Sequence, residues 1–124
     1  MIDWETVRQI ALAYPEVEEY TSYGGHPALR VRGKLFAWMS PKQEADGALA
    51  VRVDPDEKQL LIEAKPEVYY STPHYETYPA LIRLGTIERD ELAERLEDAW
   101  LIRAPKRLAA SFLAPGQRRE GKAS

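Results

Sequence analysis

The stretch Ala28-Leu29-Arg30-Val31-Arg32-Gly33-Lys34-Leu35-Phe36-Ala37-Trp38-Met39 decides how the chain reads. Apolar and basic residues alternate up to the glycine, which is the period of a half-buried strand. Gly33-Lys34 reads as a two-residue hairpin turn, with Gly33 supplying the positive φ that such turns need. That turn sets Arg32 opposite Leu35, Val31 opposite Phe36, Arg30 opposite Ala37 and Leu29 opposite Trp38. One face of the hairpin then carries Leu29, Val31, Phe36 and Trp38. The other carries Arg30, Arg32, Leu35 and Ala37.

Outward from the hairpin, Leu49, Val51 and Val53 alternate with Ala48, Ala50 and Arg52 and predict a third strand. Its small and basic residues are expected on the face of Arg30 and Arg32. Before the hairpin, Asp3 can cap a helix running to Tyr14, with Val7, Ile10, Ala11 and Tyr14 on one side and Pro15 ending it. Glu16–Tyr23 reads as a short acidic strand, closed by Gly24, Gly25 and Pro27. Asp54-Pro55-Asp56-Glu57 is a helix start, with Asp54 as N-cap, Pro55 at the first position and Glu57 closing a capping box. That helix is expected to reach Ala64 and to bury Leu60, Leu61 and Ala64. Val68–Tyr70 and Tyr78–Leu84 read as strands, the second with Tyr78, Ala80, Ile82 and Leu84 on one side. Arg89–Arg103 is a long helix buried along Leu92, Ala93, Leu96, Ala99 and Trp100. Lys106–Leu113 is a last short helix, and residues 115–124 form a polar basic tail expected to be disordered.

These elements predict a single α+β domain over residues 1–114. It has two layers, an antiparallel sheet of about five or six strands with helices on one face. Too few strand–helix crossovers exist for a doubly wound parallel fold. The 124 residues are 44% hydrophobic and 30% charged, ample for one core. No run approaches the roughly 18 apolar residues of a membrane span. The absence of cysteine excludes disulfides, thiol nucleophiles and thiolate metal sites. With the acidic, signal-free start MIDWETV, it predicts a cytoplasmic protein. With two histidines in the whole chain, a His-rich metal site is not expected. There is no GxxxxGK[ST], GxGxxG or GxSxG motif, so no catalytic residue and no cofactor is named.

Net charge is −3, but charge is segregated. Residues 26–53 carry five basic and two acidic groups, whereas residues 54–98 carry five and twelve. Arg30, Arg32, Lys34 and Arg52 are therefore candidate phosphate contacts, with Lys106 and Arg107 assisting, because guanidinium groups match phosphate bidentately. A solvated sheet face is the plainer account of such arginines. His74 lies in a stretch crowded by Tyr69, Tyr70, Tyr75 and Tyr78, a cluster that could line a ligand pocket or stack on bases. With Trp38, residues His74, Tyr75 and Tyr78 suggest a pocket for a small ligand or peptide. A histidine that caps a turn beneath an aromatic lid is the plainer account there.

The same segments resemble the MmcQ/YjbR family of small bacterial proteins. The carriers are Ala13-Tyr14-Pro15-Glu16-Val17-Glu18-Glu19, Arg30 to Trp38, Val53-Asp54-Pro55-Asp56-Glu57, Ser71-Thr72-Pro73-His74-Tyr75 and Ala104-Pro105-Lys106-Arg107-Leu108. Ala80 departs from the tryptophan expected after Tyr78-Pro79. The resemblance implies a fold similar to the type III secretion chaperones, and a DNA-binding role through paired hairpin wings. Only Gly33-Lys34 and its arginines match a basic wing; the second wing falls at Ser40–Gly47, where Glu44 and Asp46 offset Lys42. Double-stranded DNA is thus the expected partner. The alternatives are a small ligand or peptide, or a protein-interaction module. The chain is expected to be a monomer or homodimer, with no membrane association.

Overall fold

The computed structural model describes residues 2–21, 25–40, 48–73 and 79–113. The hairpin forms β2 (Pro27–Val31) and β3 (Lys34–Met39). β1 (Val17–Thr21) precedes it, and β4 (Leu49–Arg52), β5 (Tyr69–Tyr70) and β6 (Pro79–Ile82) follow. All pairings are antiparallel, in the order β1-β2-β3-β4-β6-β5. Four helices accompany the sheet among the described residues: α1 (Trp4–Ala11), α2 (Pro55–Ala64), α3 (Arg89–Arg103) and α4 (Lys106–Leu113). The expected α+β architecture is borne out, with six strands.

The hairpin differs from its expected register in two places, and both matter for function. Val31 pairs with Lys34, so the turn residues are Arg32 and Gly33, at φ +51° and +82°. Two consecutive positive φ values are the mark of a type I′ turn, whose twist suits the strands on either side. Arg32 therefore sits in the turn rather than projecting from β2. A bulge follows in β3: Arg30 pairs with Leu35 and Leu29 with Ala37, leaving Phe36 as the extra residue. Phe36 and its neighbour Ala37 consequently both enter the main core, and Trp38 goes to the opposite face, the reverse of the side expected for it.

The main core lies between the sheet and the helices. Leu29, Val31, Phe36, Leu49, Val51 and Ile82 come from the strands, and Val7, Leu92, Leu96, Ala99 and Trp100 from α1 and α3, each without solvent exposure. α3 lies across β3 and β4, with α1 beside it. Asp3 caps α1 as expected, accepting from the Thr6 amide at 3.1 Å. Asp54 makes no such side-chain bond, so the expected capping interaction at α2 is absent. α2 is also rotated from expectation. Lys58, Leu61 and Ile62 face inward, at i, i+3 and i+4, while Leu60 and Ala64 are exposed. A lysine can take a core-facing position because its methylene stem buries while its ammonium reaches a polar group. Leu84 falls in a turn, since β6 ends at Ile82.

A polar cluster fastens α3 to the far edge of the sheet. The Tyr69 hydroxyl donates to Glu91 Oε2, and Lys65 Nζ donates to Glu91 Oε1 at 2.6 Å. Burial raises the Tyr69 pKa, and its bond to Glu91 raises it further. Burial also pushes the Glu91 pKa up, but the bonds from Lys65 and Tyr69 outweigh it and leave the carboxyl below the usual range. A carboxylate depressed in the folded state stabilises above its unfolded pKa and loses that contribution as pH falls through the folded value. The melting temperature is therefore expected to hold above about pH 5 and to fall as acid passes the ordinary glutamate value near 4.3. In Glu91→Gln the acid-side fall should shrink. An unchanged acid limb in that variant's thermal melts would show that Glu91 does not set it.

Candidate binding face of the sheet

The strand register places one row of side chains across the face turned away from α3. Tyr20 on β1 pairs with Ala28, Ala28 with Trp38, Trp38 with Ala50, Ala50 with Leu81 and Leu81 with Tyr70. Ala48, Ala50 and Leu81 are buried, and Trp38 and Tyr70 pack against them as half-buried side chains. Two residues along, toward the Arg32-Gly33 turn, come Glu18, Arg30 and Arg52. Trp38 has small residues on both sides, Ala28 and Ala50, and its side chain stays partly open to solvent. Arginine covers the flanking tyrosines: the Arg30 guanidinium lies 4.2 Å from the Tyr20 ring centre, and that of Arg83 lies 4.0 Å from the Tyr70 ring centre.

The expected cations share one end of the sheet, but β1 answers them with acids. Arg30 Nε donates to Glu18 Oε1 at 2.6 Å. Arg32 grips Glu16 through two bonds, from Nε to Oε1 and from Nη2 to Oε2, the latter at 2.9 Å. The bond from Arg32 pulls the Glu16 carboxyl below its usual range. Lys34 is exposed beside the turn, and Arg52 is half-buried at the end of β4. Asp54, Asp56 and Glu57 follow Arg52 within five residues. This end of the sheet is therefore close to charge balance. Lys106 and Arg107 lie apart from it, on α4 in the helical layer. His74, Tyr75 and Tyr78 lie outside the described residues, as do residues 41–47 of the expected second wing and the tail.

Tyr70 belongs to the tyrosine cluster that the sequence singles out, whereas Tyr20 and Arg83 do not stand out in it. Tyr70 and Arg83 are thirteen positions apart and meet because β5 pairs with β6. No local spacing announces such a contact. Among the described residues no group of three or more histidines and acids could hold a metal ion. No helix among them is long and apolar enough to cross a membrane.

The family model for YjbR matches residues 12–102, from the end of α1 to the last turn of α3. This chain belongs to the YjbR family. Uncharacterised proteins of Mycobacterium bovis and Mycobacterium tuberculosis are each 36% identical to it over 130 residues, covering 92% of this chain and 98% of theirs. The crystal structure of the Deinococcus radiodurans protein DR2400, a DUF419 domain, superposes with a TM-score of 0.73 at 20% identity. That match covers 98% of this chain and 94% of the other. The YjbR assignment and the two-layer fold thus agree by sequence and by shape. The matched span holds the whole aromatic row and its arginines, while Lys106 and Arg107 fall beyond it.

Proposed function

We propose that this YjbR protein is a binding module that takes a nucleotide, free or within a single strand, on the sheet face carrying Trp38 and Tyr70. One observation supports this most: half-buried aromatic rings and the guanidiniums of Arg30, Arg52 and Arg83 share that face. A base stacks on a ring such as that of Trp38 whatever its sequence, and arginines hold its phosphate. Duplex DNA fits less well. Its grip comes from free cations, and Glu16 and Glu18 already engage Arg32 and Arg30. A ligand phosphate would replace a carboxylate there, releasing few counterions.

The test is a fluorescence-anisotropy titration with three dye-labelled probes, a thymidine oligonucleotide, a mononucleotide and a duplex. Trp38→Ala is expected to weaken binding about 5- to 150-fold, from a stacking contribution of about 1–3 kcal/mol per base. Wild-type affinity should change little between about 50 and 200 mM salt. Glu16→Gln/Glu18→Gln should tighten binding and steepen that dependence. Equal affinity of wild type and Trp38→Ala for all three probes would rule the reading out. Tight oligonucleotide binding with none for the mononucleotide would identify the strand as the ligand.

A further inference from the structure

We infer that the joint between α3 and α4 is a second binding site, for a phosphate group, built from Arg103, Lys106 and Arg107. These three cations fall within five residues, a reach of at most about 14 Å along the chain. Among the described residues none of them has an ion pair or side-chain hydrogen bond, and the Arg103 Nε is a buried donor with no acceptor. Five other described arginines are engaged: Arg8 with Glu19, Arg30 with Glu18, Arg32 with Glu16, Arg95 with Asp98 and Arg83 with the Pro66 carbonyl. After Asp98 the sequence has no acid until Glu120.

Helix stability accounts for Arg103, which ends α3 where the macrodipole favours a cation. It does not account for the other two. Lys106 and Arg107 stand in the first turn of α4, where the dipole opposes positive charge and no acid accompanies them. Both are exposed, so burial of their stems does not explain them either. An anion held among the three would relieve their mutual repulsion. Forked guanidiniums favour phosphate, whose oxygens accept two bonds at once.

The joint is also firmly packed and well placed. Ala104 is buried, and Phe112 of α4 packs edge-on against Trp100 of α3 at 5.0 Å. Trp100 Nε1 donates to the Pro15 carbonyl at 3.1 Å, and Pro15 precedes Glu16, the partner of Arg32. Arg103 follows Trp100 by three residues, so the cations lie on the helical side of the sheet. A strand seated on Trp38 could pass round the sheet to reach them, whereas a mononucleotide there could not. That link rests on the sheet-face reading; the site itself does not.

Amide signals of the isotope-labelled full chain, titrated with pyrophosphate and separately with a thymidine decanucleotide, test the proposal. Pyrophosphate is expected to move the signals of residues 103–108. In Lys106→Glu/Arg107→Glu the affinity should fall about tenfold or more, with the remaining amide spectrum unchanged as proof of folding. Signals that stay still at low salt, or that move equally in the variant, overturn it. Movement with the decanucleotide at both 103–108 and Trp38 identifies strand phosphates as the source; movement with pyrophosphate alone identifies a small phosphorylated ligand. Loss of the Trp38 response alone removes the sheet-face reading and leaves this site standing.

Discussion

Trp100→Ala is expected to lower the unfolding free energy by about 3–5 kcal/mol. Trp100 has no solvent exposure. Its ring stacks on Tyr14 with centres 5.9 Å apart and meets Phe112 edge-on at 5.0 Å, while its indole N–H donates to the Pro15 carbonyl. Removing it opens a cavity between α3, α4 and the segment after α1 that carries Tyr14. A domain of this size has only about 5–15 kcal/mol to lose, so partial unfolding at room temperature is within range. Trp100→Phe separates the two contributions. It keeps most of the packing and leaves the Pro15 carbonyl without its donor, a loss of about 1–3 kcal/mol. Urea unfolding of both variants checks this. A loss below about 1 kcal/mol for the alanine variant would mean that the aromatic triangle does not hold the helices together.

The second large effect is expected from deleting a single residue, Leu35. Leu35 is only half-buried, and its loss would leave the ladder formally better paired. Phe36 would then take the place opposite Arg30 and turn to the Trp38 face, emptying its position in the core. The expected loss is therefore that of a buried phenylalanine, about 3–5 kcal/mol, close to that of Phe36→Ala. Urea midpoints of the two variants, measured side by side, decide the matter. A deletion that proves nearly neutral would show that β3 can redistribute its extra residue, and that the bulge does not set which aromatic faces which layer.

The layers of this protein were readable because most strands and helices carry a clean period of their own. β4 is the clearest case: Leu49, Val51 and Val53 point to the core while Ala48, Ala50 and Arg52 point away, as alternation alone predicts. The same rule failed at β3 because a bulge breaks alternation without leaving a local signature, no glycine marking Phe36. It failed at the turn because Arg32, not Lys34, adopts the left-handed backbone beside Gly33, a conformation uncommon outside glycine. For the binding face, Arg30, Arg52 and Trp38 could be picked out by residue type. The acids that engage the arginines could not. Glu16 and Glu18 precede Arg32 and Arg30 by sixteen and twelve positions and meet them only through the β1–β2 ladder. Charge counted along the chain therefore overstated the positive potential of that end.

The Tyr14–Trp100–Phe112 contact joins residues almost a hundred positions apart. During synthesis the first helix and the hairpin leave the ribosome long before their closing partners exist. The half-made sheet must wait, its inner face bare, until α3 emerges, and the aromatic triangle stays open until residue 112 follows. Chaperone engagement and proteolysis of nascent chains should therefore concentrate in that interval, and early termination before α4 should yield a product that is cleared rather than stored.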